Sequence, residues 1–195
     1  MDSQVDARHA SPQDHLVLFY KQDQELAEKA GGYVLDTLRG GGTAIAVGTR
    51  AHRLALARYL VQAGVDVTAA RSAGAYVELD ASDTIDACVT GSDADPGSFW
   101  TEITPVIRRA TEAGQPVRIF GEMVALLWDA GQTGAAIDVE AMWNELAAQF
   151  PFSLLCAYPI EAVTGARQRD QLTEVCRAHT GVTGEPPAAM RRWHF

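Results

Sequence analysis

Six residues stand out for the chemistry that their types and positions allow: His15, Tyr20, Arg118, Glu122, Cys156 and Tyr158. Glu122 is the most unusual acid. It ends the apolar run VRIFGE directly after Gly121, with Arg118 four residues upstream. A buried carboxylate costs several kcal/mol unless it is paired or hydrogen-bonded. Glu122 therefore asks for a partner, with Arg118, His15 and Tyr158 in reach, or for a ligand or a metal. The plainer use is as a cap at the N-terminus of the next helix, where the dipole favours an acid. Cys156 lies inside the apolar run FSLLCAY. A thiol there is ordinarily a small buried hydrophobe, and an activated thiolate would need a cation or a helix N-terminus beside it. His15, which opens the run HLVLFY, is the group that the fold could bring to it. Tyr20 and Tyr158 close their runs. Glu140 and Asn144, four apart in an apolar helix, share a side that reads as an exposed polar strip. His9, His52, His179 and His194 have no neighbours at metal-ligand spacing and read as surface residues.

Several chemistries are absent from the sequence. A phosphate loop needs glycines whose N–H groups cradle the anion, then Lys and Ser or Thr. After the first apolar run the chain has YKQDQELAE, in which Asp23 and Glu25 would repel phosphate. Gly40, Gly41 and Gly42 precede a strand and offer no helix N-terminus to an anion. There is no G-x-S-x-G nucleophile elbow. Acids outnumber bases 25 to 16, a net charge of −9, and that field repels nucleic-acid backbones. No basic residue lies between Arg71 and Arg108, and the acids from Glu78 to Asp95 read as a solvated loop without calcium-loop spacing. Cys88, Cys156 and Cys176 lack C-x-x-C spacing and suit a reducing compartment. With no apolar stretch of ~20 residues and no secretory leader, a cytoplasmic protein is expected. No cofactor, metal or catalytic residue is assigned.

The elements that must position these residues follow from periodicity. Apolar runs at 15–20, 43–49, 75–80, 117–123 and 152–158 read as strands covered on both faces. Helical patterns occupy 24–38, 50–63, 98–113, 123–149 with a break near Gly131, and 167–178. Pro105 should kink its helix or start a new one. Alternating strands and helices predict a three-layer α/β/α sandwich with a mainly parallel five-stranded sheet. The 195 residues make one domain over 14–180, with a flexible arm at 1–13 and a flexible tail at 181–195.

The segments HLVLFYKQDQELAEKAGGYVLDTLRGGGTAIAVGT, RLALARYLVQAGVDVTAARSAGAYVELDA, VRIFGEMVALLW and FSLLCAYP resemble the MEDS family, the sensory domain of methanogens, methylotrophs and a dichloromethane-responsive repressor. The resemblance implies a degenerate RecA/KaiC-like fold without its phosphate loop. It also implies a sensor of small, hydrocarbon-like molecules that signals to a partner such as a histidine kinase or anti-sigma factor. Carried over by position, His15, Tyr20, Arg118, Glu122, Cys156 and Tyr158 form the candidate ligand-binding cluster. The function expected is thus non-enzymatic: a sensory module without direct nucleic-acid or membrane contact. Two rivals are a hydrolase or transferase using Glu122 and His15, with or without a metal, and a pure interaction module docking through the acidic 78–95 stretch or the RRWHF tail.

Overall fold

The computed structural model describes residues 6–7, 10–90, 93–163 and 176–184. Each expected apolar run forms a strand: β1 (His15–Tyr20), β2 (Thr43–Gly48), β3 (Tyr76–Asp80), β6 (Val117–Gly121) and β7 (Ser153–Pro159). All six side chains of β1 are buried, as a central strand covered on both faces requires. The helices are α1 (Asp23–Arg39), α2 (Arg50–Gln62), α3 (Val67–Ser72), α4 (Ala81–Cys88), α5 (Pro96–Thr111), α6 (Met123–Asp129), α7 (Thr133–Ala147) and α8 (Ile160–Val163).

The sheet has six strands in the order β3-β2-β6-β7-β1-β8, and every pairing in it is parallel. The sixth strand, β8 (Gly181–Gly184), corrects the expected five. Its sequence, GVTG, has no apolar run to announce it. Main-chain pairing to Leu16–Phe19 of β1 holds it instead, so the segment assigned to the tail begins as an edge strand. At the other end of the domain, the Gln13 N–H donates to Phe152 O at 2.7 Å.

Two apolar layers cover the sheet. Leu16, Leu18 and Tyr20 point to α1, α2 and α3, packing with Leu26, Tyr33, Val34, Leu56 and Leu60. Val17, Phe19, Leu154, Cys156 and Tyr158 point the other way, toward α4–α7. This is the period-two alternation of a pleated strand, repeated on β1, β6 and β7. Local signals agree with the helix ends: the Thr49 hydroxyl accepts from His52 N–H at the start of α2, and Gly64 follows its end at φ +85°.

Two local expectations are corrected. The helix α5 runs through Pro105 unbroken. Much of the acidic 78–95 stretch is ordered, because the Asp80 side chain caps α4 and β4 (Val89–Thr90) pairs antiparallel with β5 (Asp93–Ala94). Of the expected helix 167–178, residues 176–178 are helical and the rest lie outside the described residues, as does the RRWHF tail.

The turn into β2 is tight. Thr43 N–H donates to Pro116 O at 2.9 Å, and a Cβ on Gly42 would stand 2.4 Å from that same oxygen. A backbone carbonyl fixed by that hydrogen bond directly before β6 cannot swing aside. Gly42→Ala is expected to cost about 1–3 kcal/mol in urea denaturation; a loss under about 0.5 kcal/mol, the range of ordinary surface substitutions, would contradict this packing.

Candidate functional site

The sheet divides the six sequence candidates. His15, Cys156 and Tyr158 lie on the α7 face, while Tyr20, Arg118 and Glu122 lie on the α1–α2 face. Two polar clusters result, with Arg118 apart from both.

The first cluster sits at the carboxyl ends of β2 and β6. These strands are neighbours, with Val47 opposite Gly121, so Glu122 emerges beside Gly48 and Thr49. Glu122 is buried. Its Oε2 accepts from the Thr49 N–H at 2.9 Å, and its Oε1 accepts from His52 Nδ1. The close approach needed by this carboxylate occurs at Gly48, where a Cβ would stand 2.8 Å from Oε2. At Gly121 a Cβ would make only ordinary contacts, the nearest at 3.7 Å. The partner of Glu122 is therefore His52, in place of Arg118, His15 or Tyr158. His52 reads as a surface residue in sequence, yet its side chain is only 14% exposed. Its Nε2 lies 3.4 Å from Asp23 Oδ1, at the start of α1. The hydrogen bond to Glu122 raises the His52 pKa against the opposing effect of burial, with help from Asp23. The Tyr20 ring stands edge-on to His52, centroids 6.3 Å apart. Alongside, Arg53 Nε donates to Gly48 O at 3.0 Å and its Nη2 meets the Asp80 carboxylate.

The second cluster is fully internal. Glu140 on α7 points at the sheet and is 1% exposed. Its Oε1 accepts from the Tyr158 hydroxyl at 2.6 Å and lies 3.5 Å from His179 Nε2. Its Oε2 lies 3.1 Å from His15 Nε2 and 3.7 Å from Cys156 Sγ. His15 Nε2 and Cys156 Sγ are 3.3 Å apart. Asn144 completes the group: its Nδ2 donates to Ala178 O, which turns Oδ1 toward His15 Nδ1 at 2.9 Å. An amide oxygen only accepts, so Nδ1 carries a proton. Burial pushes the Glu140 carboxyl up, but the imidazoles of His179 and His15 and the Tyr158 hydroxyl outweigh it and hold the group below its usual range. Burial pushes the His15 pKa down; Glu140 and Asn144 more than offset this, and the net shift is upward. Burial and the facing Glu140 push the Cys156 thiol well up, so it is a poor nucleophile. Among the described residues, His15, Glu140, Cys156 and His179 are the group whose donor atoms could surround a metal.

Arg118 is at the amino end of β6, near Ala10 O at 3.3 Å and over the Tyr33 ring at 5.2 Å. Tyr158, although next to last in β7, is fully buried. Sequence reading missed His52, Glu140 and His179. For Glu140 a signal existed: it falls between Ala136 and Trp143 in the buried stripe of α7 and so could not be exposed. His179 lies two residues before β8, a strand without an apolar run, and carried no such signal. His9 and His194 lie outside the described residues.

The Glu122–His52 pair has a pH signature. A raised imidazole pKa stabilises the fold fully below the ordinary value of 6.5, and this contribution is lost as pH rises through the folded value. Glu122→Gln should lower stability by about 1–3 kcal/mol, as expected when a hydrogen-bonded charge is removed. The gap between wild type and variant should shrink as pH is raised above 6.5, measured by denaturant unfolding at a series of pH values. A gap independent of pH would show that the charge on His52 does not stabilise the fold through Glu122.

Three comparisons bear on this geometry. The fold is similar to the crystal structure of the flagellar accessory protein FlaH from Methanocaldococcus jannaschii, with a TM-score of 0.54 at 10% identity, covering 88% of this chain and 70% of that one. That likeness is one of fold alone. No curated protein matches in sequence. The family described as "MEthanogen/methylotroph, DcmR Sensory domain" matches residues 14–180, nearly the whole of the sheet and its helices. The chain belongs to the MEDS family of sensory domains.

Proposed function

We propose that this protein is a non-enzymatic sensory module that binds a small, largely apolar effector at the carboxyl edge of its sheet and reports occupancy to a signalling partner, such as a histidine kinase or an anti-sigma factor. Membership of a sensory family supports the role. The observation that carries the location is the start of α1. After the first strand, where a phosphate loop would lie, the Lys21 N–H donates to the protein's own Glu25 Oε2 at 3.0 Å, and Asp23 faces His52. A helix N-terminus already answered by carboxylates repels a phosphate. Beside it stand the buried Tyr20 ring and Glu122 carboxylate and the partly exposed His52, the aromatic and polar groups that would orient a small ligand entering at this edge. Signalling follows if the effector prefers one of two domain states. A hydrolase or transferase would draw on the same Glu122–His52 pair as base and acid.

Two measurements test this. Thermal-shift titration with short-chain alcohols, haloalkanes and small aromatics should find effectors that raise the melting temperature of wild type, with the shift lost in Tyr20→Ala and His52→Ala. Equal shifts in wild type and both variants would move the site elsewhere. Calorimetry with Mg-ATP should show no binding tighter than about 100 μM, roughly 5.5 kcal/mol; tighter binding would contradict the reading of the α1 N-terminus.

A further inference from the structure

We infer that His15, Glu140, Cys156 and His179 form a binding site for one divalent transition metal ion, with zinc the best match. The site is separate from the carboxyl-edge cluster, on the opposite face of the sheet, and does not depend on the effector reading. The argument starts from donor type. Two imidazoles, a thiol and a carboxylate suit zinc and its neighbours, whereas calcium and magnesium take oxygen ligands. Spacing agrees. A tetrahedral ion with nitrogen and oxygen ligands at about 2.0 Å and sulfur at about 2.3 Å holds those atoms roughly 3.3–3.6 Å apart. Here His15 Nε2 is 3.1 Å from Glu140 Oε2 and 3.3 Å from Cys156 Sγ, and Cys156 Sγ is 3.7 Å from the same Oε2, each close to that range, while His179 Nε2 is 3.5 Å from the other carboxylate oxygen, Oε1, and needs a small shift to share the ion. All four donors lie within 4.8 Å of one another.

The surroundings fit as well. Metal-bound histidines commonly give their other ring N–H to an acceptor that fixes the ring. His15 does this through Nδ1–H to Asn144 Oδ1, which leaves Nε2 to face the cluster. Tyr158 holds the carboxylate of Glu140 in the same way. Charge balances too. On binding, the proton of the Cys156 thiol and any proton held at Nε2 of His15 or His179 against Glu140 are released to solvent, and the thiolate and the Glu140 carboxylate together neutralise a 2+ ion between neutral imidazoles. That is the composition a buried site requires, since an uncompensated charge there is costly. The ligands come from β1, α7, β7 and the segment leading into β8, so an ion would join the edge strand to the centre of the sheet.

The test uses the full chain purified under reducing conditions, stripped with a chelator and titrated with cobalt(II), then zinc(II). One cobalt per chain should bind with the intense visible d–d bands of tetrahedral geometry and a sulfur-to-cobalt charge-transfer band, and zinc should displace it. Cys156→Ser should abolish the charge-transfer band. His179→Ala should weaken zinc binding by at least ~10-fold, the usual effect of damaging a metal shell. His52→Ala, in the other cluster, should bind as wild type does. The wild-type spectrum needs no variant to fold. Absence of the charge-transfer band in wild type, or unchanged zinc affinity in a folded His179→Ala protein, would overturn the assignment and leave the cluster a metal-free hydrogen-bonded network.

Discussion

The carboxylate of Glu140, buried in an otherwise apolar interior, constrains this structure more than any other group. An ionised carboxyl there would cost several kcal/mol if left alone. Every element around it supplies something to prevent that: Tyr158 and Cys156 from β7, His15 from β1, and His179 from the segment before β8. The requirement explains features that would otherwise look unrelated. It explains why a histidine opens a buried strand and why a tyrosine ends one without reaching solvent. Together with the main-chain pairing to β1, the contact of Glu140 with His179 fastens a four-residue strand with two glycines to the edge of the sheet, where Thr180 N–H donates to His15 O at 2.6 Å and the His15 N–H donates to Thr180 Oγ1 at 2.9 Å.

The pleat of the sheet then separates two kinds of chemistry. Odd-numbered residues of β1 face the Glu140 cluster and even-numbered ones face α1 and α2, so His15 and Tyr20, at opposite ends of one strand, belong to different sites. The edge cluster reaches solvent at Asp23 and in part at His52, while its Tyr20 and Glu122 are buried. The internal cluster is closed.

Much of this was legible in the sequence. Continuous apolar runs identified the five long strands because strands buried on both faces must be apolar throughout. Glycines and a threonine cap marked the ends of α1 and α2. The family resemblance rested on the same segments. The need of Glu122 for a partner was readable from its place in an apolar run, but the partner was not, because His52 follows a turn and comes near only through the pairing of β2 with β6. The six candidates looked like one cluster because strand ends are adjacent in space; alternation of faces splits them. Glu140 and His179 belong to contacts between residues far apart in the chain, and β8 is held by main-chain pairing, for which side-chain patterns give little signal. Among the described residues no helix is long and apolar enough to cross a membrane.

The central claim is that the Glu140 node holds the edge strand to the sheet. Amide hydrogen exchange compares it directly in wild type and Glu140→Gln, reading Val182 and Thr183 of β8 against Ile45 and Ala46 of β2. Loss of the carboxylate should speed exchange in β8 while β2 stays protected, since local opening of an edge strand is cheaper than opening the centre. Unchanged protection of β8, or equal acceleration in both strands, would contradict the account.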